Sequence, residues 1–295
     1  MAIPFIRQFE PRYGEEVRVT PLVSRLVANN PGPFTFMGTG VYIVGGKDVA
    51  VIDPGPDLPE HIDALKRALA GRRISHILVT HTHSDHSPAA KPLKEWSGAG
   101  TYAFGPHGFG RDADGPKVEA GGDVDFVPDV RVKDGDILRG DGFTFECVHT
   151  PGHTSNHMCY ALKEEKALFT GDHIMGWSTT VVTPPDGDMA DYIASVEKLE
   201  RRDDAILYPT HGAPVSDPKP FLAAYREHRL DRERQVLASI VAGRDTIPAM
   251  VEYMYADVDK RLHPAASRSV LAHLIKLERE GRVAQGGGRY RILTE

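Results

Sequence analysis

Short apolar runs separated by clusters of Gly, Pro and Asp fill the first 220 residues of the chain. Apolar runs that are bounded by such turn residues are typical of β-strands. We predict strands over residues 41–44, 49–52, 76–80, 143–148, 158–162, 167–170 and 205–208. The first two flank Gly45 and Gly46, and this spacing predicts a hairpin.

Two helices are predicted among these strands. Residues 61–70 carry Ile62, Leu65 and Leu69 on one helical face, and a second helix is expected to begin after Asp188, whose carboxylate can cap it. Residues 105–142 are rich in Gly and Asp, and we interpret them as loops and edge strands.

After residue 220 the pattern changes to helical spacing. Helices are predicted over residues 221–242, 247–255 and 265–280, followed by two short strands around the three glycines at 286–288. This order is typical of a winged helix-turn-helix, which either packs and dimerises or contacts nucleic acid. The turn at 217–220 places the predicted boundary between a catalytic domain (1–219) and a linker helix with the winged helix (220–295).

Charge and composition narrow the protein class. The chain has 295 residues and a net charge of −6; residues 1–219 hold 22 basic and 31 acidic side chains, against 13 and 10 in residues 220–295. No run approaches the roughly 18 apolar residues of a membrane span, and no secretory signal is evident. We therefore expect a cytoplasmic protein without a membrane partner. Cys147 and Cys159 are too few for a disulfide framework, so we interpret them as small core residues.

A dense histidine motif follows the predicted strand 76–80. Its residues are Thr80, His81, Thr82, His83, Ser84, Asp85 and His86. In a turning backbone, His81 and His83 can point at one ion, while Asp85 and His86 can point at a second. Imidazole nitrogens and carboxylate oxygens are ligands that suit zinc.

Three more strands end at ligand-type residues. His153 follows the strand 143–148, Asp172 follows 167–170, and His211 follows 205–208. Loops at one end of a rigid sheet are where binding groups collect. The sequence therefore predicts one metal centre that is assembled from four strand ends.

These residues, in this order, resemble the metallo-β-lactamase-fold hydrolase superfamily. The resemblance implies an α+β fold, a four-layer αββα sandwich, with a dinuclear site at the sheet ends. It assigns His81, His83 and His153 to one metal, Asp85, His86 and His211 to the other, and Asp172 to a bridge between them. Such a site uses a metal-bridging hydroxide, and we assign Asp85 a catalytic role in orienting it or accepting its proton. Two divalent ions are expected, with zinc preferred over iron or manganese.

A narrower resemblance covers nearly the whole chain. The segments at 30–40, 149–158 and 170–176, together with the C-terminal winged helix, are similar to the β-lactamase-like protein 2 group, which includes metal-dependent hydrolases and a single-strand endoribonuclease. The resemblance implies an endoribonuclease-like enzyme or a hydrolase of a small ester, lactone or thioester. The alternatives are a β-lactamase in the strict sense, which Asp172 disfavours, and a nucleic-acid-binding regulator with a vestigial site. The expected partners are single-stranded RNA or a small molecule, and a second copy of the chain.

Further residues near the motifs are candidates for supporting roles. Four follow Asp172 and are candidates to bind substrate: Trp177, Ser178, Thr179 and Thr180. Four others are candidates to hold the metal ligands from behind: Asp53, His149, His157 and His173. Six C-terminal cations are available to offset the repulsion of RNA by the acidic catalytic region: Arg268, Lys276, Arg279, Arg282, Arg289 and Arg291.

Overall fold

A computed structural model of the protein describes residues 3–110 and 121–293. Its strands are β1 (Val17–Arg18), β2 (Val23–Val27), β3 (Gly40–Gly45), β4 (Asp48–Ile52), β5 (Arg73–Leu78), β6 (Gly100–Ala103), β7 (Val130–Arg131), β8 (Ile137–Gly140), β9 (Phe143–His149), β10 (Met158–Leu162), β11 (Ala167–Gly171), β12 (Ile206–Pro209), β13 (Val283–Gly286) and β14 (Arg289–Ile292). Its helices are α1 (Pro59–Leu69), α2 (Ala90–Ser97), α3 (Met189–Glu200), α4 (Pro218–Val241), α5 (Ile247–Met254) and α6 (His263–Arg279), with a 3₁₀ turn at Lys260–Leu262.

The strands of the first part form two sheets. One has the order β1-β2-β3-β4-β5-β6-β7, and the other has the order β12-β11-β10-β9-β8. The predicted hairpin is present, since β3 and β4 pair antiparallel. The pairs β4–β5 and β11–β12 are parallel, so the carboxyl ends of the paired strands lie at a common edge.

Three apolar layers hold this part together. Between the two sheets lie large side chains from both, including Tyr42, Phe145 and Phe169. Leu65 of α1 and Leu93 of α2 pack on the outer face of the first sheet, and residues of α3 and α4 pack on the outer face of the second. The predicted four-layer αββα sandwich is therefore confirmed.

The C-terminal residues form the predicted winged helix. Met250 of α5 and Leu274 of α6 pack with Tyr290 of the β13–β14 hairpin in a separate core. Helix α4 belongs to both parts: Phe221 packs in the core of the sandwich, and Val236 packs in the core of the winged helix. The boundary at 219–220 falls in the first turn of this continuous helix and stays a prediction.

The region that we interpreted as loops and edges contains β7 and β8, the outermost strands of the two sheets. Residues 111–120 of that region lie outside the described residues. Both cysteines are buried and unpaired, as predicted, and burial raises the pKa of each thiol to about 12. Among the helices described here, none has the length and apolar character that crossing a bilayer requires.

Candidate metal centre

The first ligand cluster consists of His81, His83, His153 and Asp172. The segment after β5 places His81 Nε2 2.8 Å from His83 Nδ1, and the loop after β9 places His153 Nε2 3.1 Å from the same atom. Asp172 follows β11, and its Oδ2 lies 3.7 Å from His153 Nε2. Three imidazoles and one carboxylate thus converge on one point, as the strand-end pattern predicts.

The second ligand cluster consists of Asp85, His86 and His211. Asp85 Oδ2 lies 3.1 Å from His211 Nε2 and 3.4 Å from His86 Nε2. In both clusters the ligand atoms lie within 4.8 Å of one another, which is close enough for them to hold one ion. The resemblance divides the histidines between the two metals in the same way.

Asp172 faces both clusters. Its Oδ2 is directed to His153, while its Oδ1 lies 3.3 Å from His211 Nε2 and 3.5 Å from His86 Nε2. Among the described residues, Asp172 Oδ1 and His86 Nε2 are buried without a hydrogen-bond partner. Buried polar atoms without partners are costly, and a divalent cation between them would satisfy both. The residues therefore fit a pair of metal ions that share one carboxylate.

The pKa values of two histidines, one from each cluster, are shifted in opposite directions. Burial, together with the imidazoles of His86 and His83, holds the pKa of His81 well below its ordinary value. For His86 burial has the same effect, but Asp85 and Asp172 outweigh it and raise the pKa of this histidine well above its ordinary value. Metals bind neutral imidazole, so His81 is ready to bind an ion, whereas binding at His86 releases a proton.

Asp53 contacts the second cluster from behind, and its role in supporting the metal ligands stays a prediction. Its Oδ2 lies 2.9 Å from His86 Nδ1, and it accepts hydrogen bonds from the hydroxyls of Thr80 and Thr210. The amide of Thr80 donates to the other carboxylate oxygen at 2.7 Å. A carboxylate behind a ligating histidine fixes the ring and strengthens its basicity. Thr80 and Thr210 were not predicted, although each stands next to a ligand in the sequence.

Backbone carbonyls orient two other histidines. His153 Nδ1 lies 2.6 Å from the carbonyl oxygen of Val181, and His211 Nδ1 lies 3.1 Å from that of Gly38. Each contact leaves Nε2 directed at the cluster. Every residue carries a carbonyl, so no side-chain pattern predicts these two partners.

The other histidines proposed as supports differ in their contacts. His157 Nε2 accepts a hydrogen bond from the amide of Asp172 at 3.3 Å, so this ring touches the bridging residue. His173 is fully buried against the Tyr192 ring, and neither of its nitrogens has a hydrogen-bond partner among the described residues. His149 stacks on Phe104 at 3.9 Å, and its Nε2 lies 3.1 Å from the carbonyl oxygen of Ser155, two residues after His153.

The four residues proposed to bind substrate differ in their burial and in their contacts. Trp177 stacks on Phe36 at 4.7 Å and packs against Gly212, next to the ligand His211. Ser178 and Thr179 are partly exposed. Thr180 is buried, and its hydroxyl lies 2.8 Å from the carbonyl oxygen of Asp172. A role for these four residues in substrate binding stays a prediction.

Comparison with known proteins agrees with this architecture. Residues 35–211 match the Metallo-beta-lactamase superfamily, and residues 246–291 match the Beta-lactamase associated winged helix domain. An Aspergillus chevalieri protein named atrochrysone carboxyl ACP thioesterase is 33% identical over 285 residues, which cover 92% of this chain and 86% of that protein. The Caenorhabditis elegans beta-lactamase-like protein 2 homolog is 33% identical over 270 residues, which cover 90% and 86%.

Solved structures share the fold as well. The crystal structure of a beta-lactamase domain protein from Burkholderia ambifaria has a TM-score of 0.78 at 21% identity, and the match covers 96% of this chain and 95% of that chain. Along this chain the residues matched by the first family model precede those matched by the winged helix model. The chain therefore belongs to the metallo-beta-lactamase superfamily of hydrolases and carries the winged helix domain associated with it.

Proposed function

We propose that this protein is a two-metal hydrolase of thioesters. The observation that carries the proposal is the apolar character of the rim of the metal centre. Phe34 and Met37 are 64% and 38% exposed on the segment whose Gly38 carbonyl contacts His211. Val181 is 36% exposed, and its carbonyl oxygen contacts another ligand, His153. Such a rim suits an acyl chain or an aromatic acyl group better than a polyanion.

Two further observations support this substrate class. The Aspergillus chevalieri relative, similar over nearly the whole chain, is named as a thioesterase. In addition, four of the six C-terminal cations that we considered for RNA are already paired with acids: Lys276 and Arg282 with Glu233, Arg279 with Asp188, and Arg289 with Asp245. These acids compete with the phosphates of RNA for the same cations.

The chain's own residues prepare the reaction. The bound ions, for which zinc is our first candidate, would supply a nucleophilic hydroxide at neutral pH and polarise the thioester carbonyl. Asp85 has the more exposed of the two carboxylates in the centre, at 21% against 11% for Asp172. It is therefore our candidate to accept, at its carboxylate, the proton that water loses when it becomes the hydroxide. The leaving thiolate is a weak base, with a pKa of about 8.5, and needs little help from an acid.

The test is a paired assay with the protein and its His81→Ala variant. An acyl thioester, the matched oxygen ester and an unstructured RNA are offered at low and at moderate salt. Released thiol can be followed with a disulfide reagent, because Cys147 and Cys159 are buried and their pKa of about 12 keeps them unreactive.

We expect thioester turnover that is abolished by His81→Ala and insensitive to salt. RNA cleavage that weakens with salt, without thioester turnover above the His81→Ala background, would contradict the proposal. That outcome would favour the endoribonuclease-like alternative.

A further inference from the structure

The segment 172–181 (residues 172 to 181) contains one metal ligand and contacts a second. It begins at Asp172, which faces both clusters, and it ends at Val181, whose carbonyl oxygen lies 2.6 Å from His153 Nδ1. Inside the segment, the Thr180 hydroxyl lies 2.8 and 2.9 Å from the carbonyl oxygens of Asp172 and His173. The path of this segment therefore determines the position of the Asp172 carboxylate and the orientation of the His153 imidazole.

Two buried side chains of helix α4 form hydrogen bonds with the segment 172–181. The Tyr225 hydroxyl accepts a hydrogen bond from the amide of Met175 at 3.2 Å and contacts the carbonyl oxygen of Ser178. One turn later, Arg229 Nη2 donates a hydrogen bond to the carbonyl oxygen of Thr180. Residues four apart lie on one face of a helix, so both contacts come from the same face of α4.

The environment of Arg229 fixes its direction. The residue is 4% exposed, and its guanidinium lies over the ring of Tyr192, 4.9 Å from the centroid. The hydroxyl of Tyr192 in turn donates to the carbonyl oxygen of His173 at 2.8 Å. A buried guanidinium is costly unless it is hydrogen-bonded, and its planar fork makes the contact directional. Lysine cannot reproduce that geometry.

The same face of α4 continues to the winged helix. Four residues after Arg229, Glu233 lies 2.6 Å from Lys276 Nζ of α6 and accepts a hydrogen bond from Arg282 at 2.7 Å. Tyr225, Arg229 and Glu233 thus form a polar row along α4. One end of the row touches the segment 172–181, and the other end is tied to the C-terminal domain.

We propose that Tyr225 and Arg229 are positioning residues for the metal ligands, so that α4 completes the metal centre although it supplies no ligand. They act through the segment 172–181 on Asp172 and His153. This inference rests on the metal centre of the proposed function but not on its substrate. Residues that orient metal ligands typically contribute about 10–100-fold to metal affinity, and we expect a loss in this range for Arg229→Met.

The matched control is Arg226→Met. Arg226 stands on the same helix and joins α4 to α3 through Glu200, 2.8 Å from its Nε. Among the described residues it makes no hydrogen bond to the segment 172–181. Met keeps the aliphatic stem in both variants, so the pair isolates the contacts of the Arg229 guanidinium with the Thr180 carbonyl and the Tyr192 ring.

The experiment measures metal binding by the full chain, without substrate. Zn²⁺ affinity is obtained by competition with a chromophoric chelator, and the visible spectrum of the Co²⁺-loaded protein reports ligand geometry. We expect Arg229→Met to lose about 10-fold or more in Zn²⁺ affinity and to change the Co²⁺ spectrum, whereas Arg226→Met retains both. Arg229→Lys, which keeps the charge, is expected to restore the affinity only in part.

Tyr225→Phe removes a single hydroxyl, so it is the replacement test of the positioning role if Arg229→Met does not fold. It is expected to change the Co²⁺ spectrum in the same direction. If Arg229→Met and Tyr225→Phe lose thermal stability but bind both metals as the unsubstituted protein does, the positioning role is refuted. Because no substrate is used, that result would leave the thioester proposal standing.

Discussion

The two halves of the metal centre are supported in different ways. The motif Thr80–His86 places four ligands within six residues, and Asp53, at the end of the neighbouring strand β4, supports it directly. The segment 172–181 contains one ligand, Asp172, and is held by Tyr225 and Arg229, which stand about 50 residues further along the chain. The first half is a local structure on a sheet edge, and the second depends on the docking of a helix.

The charges behind the two halves are also opposite. A carboxylate, Asp53, stands behind the histidine His86, while a guanidinium, Arg229, stands behind the loop that carries the carboxylate Asp172. Each charge is placed where it orients a partner of the metal. The comparison suggests substitutions that weaken one half without touching the other.

The largest effect is expected for Asp172→Ala, which removes the residue that the two clusters share. Loss of an orienting residue costs about 10–100-fold in metal affinity or activity, and loss of the bridge itself is expected to exceed about 100-fold. Metal analysis and thioester turnover measure the effect. Asp203→Ala, which removes an exposed acid paired with Lys166, is the control. An Asp172→Ala protein with two metals and full activity would refute the shared-carboxylate assignment.

The next largest effect is expected for Asp53→Asn, which keeps the shape of the side chain and removes its charge. His86 would lose its carboxylate partner, so we expect Zn²⁺ affinity to fall by about 10–100-fold. Asp48→Asn is the matched control, because Asp48 is also buried, lies at the other end of β4 and pairs with Arg73 instead. Equal Zn²⁺ affinity in the two variants would show that Asp53 only supports the fold.

A smaller effect is expected for Glu233→Gln, at the end of the polar row on α4. The substitution weakens the pairs with Lys276 and Arg282, and we expect a loss of about 1–2 kcal/mol in the free energy of unfolding. Urea denaturation measures it. Zn²⁺ affinity is expected to fall less than in Arg229→Met, because Glu233 does not touch the segment 172–181. If Glu233→Gln lost more Zn²⁺ affinity than Arg229→Met, Glu233 and not Arg229 would be the residue of α4 that matters most for metal binding.

The smallest effect is expected in the pH dependence of stability, through the buried His273 of α6. Burial, assisted by the charges of Arg229 and Lys276, lowers the pKa of His273 to about 3. Below pH 6.5 the unfolded chain takes up a proton that the folded protein refuses, so stability is complete above pH 6.5 and is lost as the pH falls towards 3. Between pH 6.5 and 5.5 this residue should cost about 1 kcal/mol.

The check is the pH dependence of urea denaturation in the protein and in His273→Phe, which keeps a ring and cannot be protonated. The variant should lose less stability over this interval than the unsubstituted protein. Identical slopes would mean that the pKa of His273 is the same in the folded and unfolded states and is not lowered by burial.

Much of the fold could be predicted from sequence because its patterns are local. The runs that form β3, β4, β5 and β9 to β12 are apolar and bounded by turn residues, and Asp188 caps α3 as expected. Helix α2 was not predicted, because it has only eight residues and Pro92 interrupts its pattern. Strand β2 was not predicted either, since Ser24 and Arg25 break its apolar run.

The candidate ligands could be brought together from sequence because each follows a strand and is a residue type that binds metal; their binding of metal stays a prediction. Their supports could be predicted only where they are close in sequence or chemically distinctive, as with Asp53 and His157. The carbonyls of Gly38 and Val181 carry no sequence signal. The sequence around Tyr225 and Arg229 predicts only a helix. It does not predict the partners of these residues, because tertiary packing determines them.

The central claim is that two clusters form one centre for two metals. Anomalous diffraction from crystals of the Zn²⁺-loaded protein tests it most directly. We predict two zinc peaks about 3.5–4 Å apart, one among His81, His83 and His153 and one among Asp85, His86 and His211, with Asp172 between them. A single peak, or peaks that do not touch Asp172, would contradict the account.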